Sequence, residues 1–153
     1  MGTIAGTLSK HQDAVVVWVD AHADINSVAT TPTGNLHGMP VAFLLGLPST
    51  EMIPEFSWLK PTLKTNSIVY IGLRDVDPGE KRLIKEHGIT AYGMHEVDKY
   101  GIGEVVRRAL DAVNPHRDRP IHLTFDVDAL DPSVAPSTGT PVSCPLARLE
   151  SFY

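Results

Sequence analysis

AVVVWVDAHAD, residues Ala14 to Asp24, opens on an unbroken apolar run and closes on three polar side chains. An apolar run without polar alternation marks a strand buried on both faces, as in a parallel sheet. Asp20, His22 and Asp24 follow at its C-terminal end, where open α/β sheets bind their ligands. If the chain stays extended, the period of two turns residues 20, 22 and 24 the same way, and Ala21 and Ala23 leave room on the other side. Two carboxylates and an imidazole suit Mn²⁺, Fe²⁺ or Zn²⁺ better than Ca²⁺. The plainer alternative is a polar strand end that leads into a helix cap.

Working outward, Ser67 to Gly72 (SIVYIG) reads as a second strand, followed by the loop Leu73 to Gly79 and a helix near Glu80 to Glu86. Pro78 suits the first turn of that helix and Gly88 its stop. A short strand covers Ile89 to Tyr92. Gly103 to Val113 reads as a helix with Val105, Val106, Ala109, Leu110 and Val113 on one face. Pro120 to Val127 (PIHLTFDV) is the last strand. This alternation predicts βαβ units and an α/β fold: a three-layer α/β/α sandwich around a mostly parallel sheet. Two polar, irregular stretches, Asn26 to Gly34 and Asp131 to Pro141, follow the ends of the first and last strands.

Phe125-Asp126-Val127-Asp128 repeats the theme at the end of a strand read as buried, with carboxylates two apart. Asp131-Pro132 starts the turn rather than supplying a ligand. Taken alone, the pair also fits the nucleophile motif of a haloacid-dehalogenase-like phosphatase. That motif belongs early in a chain, whereas here it stands at 126–128 of 153 residues. The two strand ends together offer four carboxylates and a histidine, a set large enough for two metals sharing carboxylates around one activated water.

At 153 residues and 42% hydrophobic, the chain can bury one core. Thirteen basic against 18 acidic residues leave a net charge of -5, which is no footprint for nucleic acid or an anionic membrane. The single cysteine, Cys144, excludes an intrachain disulfide framework. No apolar run nears the roughly 18–20 residues of a membrane span, and the N-terminus lacks a secretory pattern. A soluble cytoplasmic protein is the expectation.

Three segments carry a family resemblance: DAHADINSVATTPTGNLHGMP (Asp20 to Pro40), GLRDVDPGE (Gly72 to Glu80) and FDVDALDPSVAPSTGTPV (Phe125 to Val142). They resemble the signature segments of arginases, in the family's order, over Met1 to Val142. Agmatinases and other ureohydrolases share the paired acidic elements, but the TGNLHG loop and GLRDVDPGE are similar to arginases. The resemblance implies two Mn²⁺ per subunit and hydrolysis of L-arginine to L-ornithine and urea. It assigns Asp20, Asp24 and Asp126 to one metal and His22, Asp20, Asp126 and Asp128 to the other, with Asp20 and Asp126 bridging. It makes His37 a proton shuttle and has Asp128 assist at the transition state. It places Asn26, Thr33 and Asn35 at the substrate α-carboxylate and Asp77 at the α-amino group, with Glu80 assisting and Thr140 lining the pocket. Read by spacing alone, Asp77 and Glu80 are a helix N-terminus, and His37 is a surface or helix-start residue. His11, His87, His95, His116 and His122 are read as structural or solvent-facing.

The family pattern also has a strand ending in Gly-Gly-Asp-His ahead of the helix that opens this chain, and a guanidinium-binding glutamate beyond its end. A Gly-Gly pair after the TPV segment has no counterpart either. The expectation is an incomplete ureohydrolase domain over 1–142, a divergent tail over 143–153, and an open edge on the Ala14–Val19 strand. Family members form homo-oligomers. The rival expectation is an inactive fragment that binds metal or pairs with a full-length subunit.

Overall fold

The computed structural model describes residues 1–48, 50, 53–60 and 62–143, so Cys144 and nearly all of the 143–153 tail lie outside the described residues. Four strands, β1 (Val15–Val19), β2 (Ile68–Leu73), β3 (Thr90–Gly93) and β4 (Ile121–Phe125), form one sheet in the order β3-β2-β1-β4. All its pairings are parallel. Alternation along β1 divides the core. Val16 and Trp18 face a cluster with Ile4 and Leu8 of α1 (Gly2–Lys10), Val41, Ala42 and Leu44 of α2 (Pro40–Leu45), and Leu83 and Ile84 of α3 (Pro78–Glu86). Val15 and Val17 face Val105, Ala109 and Val113 of α5 (Ile102–Val113), with Val97 of α4 (Met94–Tyr100) against the same cluster. Helices on both faces of a parallel sheet make the expected three layers.

Several details depart from the sequence reading. β1 is central, hydrogen-bonded to β2 on one side and β4 on the other, so the edges of the sheet are β3 and β4. Nor is β4 a buried strand. Leu123 is 61% and Phe125 55% exposed, because among the described residues nothing covers the face they point from. It also stops at Phe125, two residues early. On α5, Val106 is exposed although Val105 is buried; adjacent helical positions lie about 100° apart, which puts Val106 at the margin of the buried stripe. The helices α2 and α4 have no counterpart in the strand-and-helix reading, both being short and without a long apolar period.

α3 is the element that fixes the floor of the site. Pro78 sits in its first turn, and the Glu80 carboxylate accepts from Asp77 N at 3.0 Å. Gly88, at φ +61°, closes it. Gly79 lies so close to the polar loop after β1 that an added Cβ would stand 2.9 Å from Thr30 Cβ and 3.2 Å from Thr30 O. Gly79→Ala should therefore cost about 1–3 kcal/mol, as small-to-large changes in packed contacts do. An unchanged urea midpoint would show that the loop yields freely.

Candidate metal centre

The candidate ligand side chains are gathered by side-chain-stabilised turns rather than by strand alternation. Asp20 N still bonds Ile71 O at 3.1 Å, continuing β1, but Asp20 Oδ1 then accepts from His22 N at 2.8 Å. That Asx turn bends the chain, and Asp24 follows in the left-handed region at φ +50°. The extended reading of residues 20–24 is thereby corrected. Asp126 does the same after β4: its Oδ1 accepts from Asp128 N at 3.0 Å and opens the 3₁₀ turn Val127–Ala129. Asp126 stays exposed while Asp128 turns inward and is buried. A third turn of this kind holds Asp131, whose Oδ1 accepts from Ser133 N at 2.9 Å.

The outcome is a tight cluster. His22 Nδ1 stands 3.4 Å from Asp20 Oδ1 and 3.2 Å from Asp128 Oδ2. One donor atom from each of Asp20, His22 and Asp128 lies within 4.8 Å of the others, close enough to hold a single ion. Both carboxylates are held in orientation: Trp18 Nε1 donates to Asp20 Oδ2 at 3.1 Å, and Thr140 Oγ1 donates to Asp128 Oδ2 at 2.9 Å. Asp24 and Asp126 line the same cleft but stand outside that tight set.

Crowded carboxylates in a partly dry cleft resist ionisation. Burial, reinforced by Asp20 and Glu80, pushes Asp24 up to about 8. Burial also raises Asp20, with Asp128 adding repulsion against the lowering effect of His22. The hydrogen bond to Asp20 raises His22 to about 9, with the Asp128 and Asp75 charges adding to it against burial. This excess of negative charge around one imidazole is what a divalent cation would relieve, so the donor set fits a hard or borderline metal ion.

The cleft holds about 520 Å³, and its walls include the other residues singled out in the sequence: Asn26, Thr33, Asn35, His37, Asp77, Glu80 and Thr140. Thr33, Asn35 and His37 sit exposed at the rim, His37 within the 3₁₀ turn Leu36–Gly38. Asn26 is buried and already engaged, donating to Asp77 Oδ2 at 2.8 Å and accepting from Thr30 Oγ1 at 3.0 Å. Both Glu80 oxygens accept backbone N–H groups, from Ile25 and Asp77 at 3.0 Å each. Its helix-capping part is thus directly visible, and burial raises its pKa.

A sequence model described as the arginase family matches residues 1–147. The chain belongs to the arginase family. The arginase of Glaciozyma antarctica is 61% identical over the whole of this chain and 45% of its own length. Its crystal structure superposes with a TM-score of 0.80 over 86% of this chain and 47% of that one. The Bacillus caldovelox arginase, 42% identical, gives a TM-score of 0.82 over 95% of this chain and 48% of its own. This arginase-family chain spans about half the length of the curated relatives it matches. No helix among its described residues is long and apolar enough to cross a membrane.

Four residues at or beside the site went unread in the sequence. Asp75 lines the cleft, with Oδ2 3.6 Å from His22 Nε2. Its spacing of two from Asp77 repeats the acidic pattern of the other segments and could have flagged it. Trp18 precedes Asp20 by the same interval. Tyr70, fully buried, donates to Ala23 O at 2.8 Å and so props the Asp24 turn from beneath. Arg74 reaches the carbonyls of the Asp128 turn, and no pattern in the sequence announces that reach.

Proposed function

We propose that this chain carries the metal-binding part of an arginase-type hydrolase, with two Mn²⁺ at Asp20, His22, Asp24, Asp126 and Asp128, converting L-arginine and water to L-ornithine and urea. The observation that carries the reading is the convergence of Asp20, His22 and Asp128 at the end of the central strand, in a cleft shared with Asp24 and Asp126. Divalent cations bound there supply Lewis acidity and make water nucleophilic at neutral pH. The protein's own part is to hold, orient and move protons. Trp18 and Thr140 fix the carboxylate angles, an outer-layer role that metal sites depend on. Asp128, buried and turned inward, would stabilise charge at the reacting carbon, the role the family resemblance implies. His37, exposed at the rim, can pass a proton between solvent and the leaving amine.

The substrate-binding roles are those the family resemblance implies, and the polar lining of the cleft supports them. Thr33 and Asn35 offer uncharged donors at the mouth for an α-carboxylate, with Asn26 behind them. Asp77 presents negative charge to an α-amino group, backed by Glu80, and Thr140 borders the reacting end. The same reading makes the chain a cytoplasmic arginine hydrolase, in keeping with its single cysteine.

Urea release from L-arginine by the chain preincubated with Mn²⁺ tests this, with Asp128→Asn alongside. The amide keeps an acceptor for Thr140 but removes the charge, and turnover should fall by about 100-fold or more, the scale of a lost electrostatic contact in an active site. Folded wild-type chain that takes up Mn²⁺ yet releases no urea would overturn the hydrolase reading and leave a metal-binding protein.

A further inference from the structure

Arg74 follows β2 immediately, yet its guanidinium serves the other end of the site. Nη2 donates to Asp128 O at 2.6 Å, to Val142 O at 2.9 Å and to Leu130 O at 3.3 Å. Nη1 donates to Ala129 O at 3.1 Å and to Gly72 O at 3.4 Å, and Nε donates to Val142 O at 3.3 Å. One planar fork thus gathers the carbonyls of the turn that carries Asp128 together with the segment just after Thr140. The Arg74 backbone is tied in as well, its N–H donating to Ala21 O at 3.0 Å between Asp20 and His22.

The connections form a closed circuit around the cluster. Ala21 lies between the first two members, Arg74 hangs from Ala21, and the Arg74 fork holds the Asp128 turn. Thr140, two residues from Val142, donates back to the Asp128 carboxylate. Ala21 N also faces Asp128 Oδ1 at 3.4 Å. Without the fork, the 3₁₀ turn at Val127–Ala129 and the segment leading to Val142 lose their shared tether to the β1 and β2 ends. The Asp128 side chain would then keep its chemistry and lose its angle.

We propose that Arg74 is a positioning residue for the metal centre, setting the Asp128 carboxylate and the Thr140 hydroxyl at the separation from Asp20 and His22 that an ion requires. The inference rests on the metal-site reading of that cluster. Arginine suits the task because its fork presents five N–H donors in fixed directions, whereas a lysine ammonium reaches fewer carbonyls at once.

The test compares two arginines that both bind backbone. Arg119 bonds Asp13 O at 2.7 Å, Val113 O at 2.8 Å and Ser67 Oγ at 2.8 Å, all away from the cleft. Mn²⁺ affinity and the visible spectrum of bound Co²⁺ are read in wild type, Arg74→Ala, Arg74→Lys and Arg119→Ala, with melting temperatures of the metal-free chains. The expected result is a rise in the Mn²⁺ Kd of about 10- to 100-fold in Arg74→Ala, the usual effect of losing an outer-layer partner. Partial recovery in Arg74→Lys and an altered Co²⁺ spectrum go with it. Arg119→Ala should lower the melting temperature and leave both metal readouts at wild-type values. Wild-type metal affinity in Arg74→Ala, or an equal loss in Arg119→Ala, overturns the positioning claim. If Arg74→Ala does not fold, Arg74→Lys decides, and wild-type affinity there overturns it too. A wild-type chain that takes up neither Mn²⁺ nor Co²⁺ sinks the metal-site reading itself, and the positioning claim with it.

Discussion

Asp24→Asn is expected to weaken Mn²⁺ binding by about 100-fold or more and, in the metal-free chain, to raise stability at pH 8. The two effects have one cause. Asp24 sits where burial and the charges of Asp20 and Glu80 oppose its ionisation, holding it near 8. A cation repays that penalty; without one, the ionised carboxylate is a cost that a neutral amide avoids. Removing one charged partner from a buried ion typically costs about 3–5 kcal/mol, which is the origin of the affinity loss. Asparagine also tolerates the backbone here, since Asp24 lies at φ +50°, a region where Asn and Asp are enriched. Isothermal titration with Mn²⁺ and urea unfolding at pH 8 read the two halves. A variant that loses stability without metal would show that Asp24 is a structural turn residue, and unaltered Mn²⁺ affinity would remove it from the metal set.

The second large effect is pH dependence. His22 is raised from 6.5 to about 9 and Asp24 from 3.8 to about 8, so near pH 6.5 both carry protons in the folded, metal-free chain. Metal ligands must be deprotonated, so Mn²⁺ uptake should release those protons, and affinity should climb about tenfold per pH unit for each proton displaced until pH passes 8 to 9. Stability of the metal-free chain runs the other way. For both groups the folded state binds the proton more tightly than the unfolded one. The Asp24 contribution is full below 3.8 and is lost as pH rises to about 8; the His22 contribution is full below 6.5 and is lost as pH rises to about 9. Proton release in weakly buffered Mn²⁺ titrations checks the first statement, and urea midpoints at pH 6 and 9 check the second. A Kd that is flat from pH 6 to 8, or a metal-free chain that gains stability between pH 6 and 9, contradicts the reading.

How much of this was legible depended on whether a feature is local. The run Ala14 to Val19 announced a parallel strand buried on both faces through five β-branched or aromatic residues in a row, but not its central place in the sheet. Pro78 and Gly88 bracketed α3 for equally local reasons. The site was legible as composition and misread as geometry. Asp20 and Asp126 bond the N–H two residues ahead, so each motif folds back on itself. Extended alternation would have turned Asp126 and Asp128 alike; the Asx turn leaves one exposed and buries the other. The exposure of Leu123 and Phe125 was hidden because a strand's sequence does not say whether its neighbours are present. Arg74 was hidden for a related reason, since its partners are carbonyls, which every residue has.

The order β3-β2-β1-β4 has a consequence for how the cleft comes into being. β1 and β2 pair across the connection Asp20 to Ser67, which carries α2, whereas Ala21 and Asp128 meet across 107 residues. Pairing of strands so distant in the chain carries a large loop-closure entropy, and such non-local contacts slow folding. Asp20 and His22 of the candidate cluster hang from β1 and Asp128 from β4, so a partly folded chain that lacks this pairing lacks the cluster. An ion held there would tie the β1 end to the β4 end and act as a latch on the finished sheet, stabilising the folded chain by binding only the paired state.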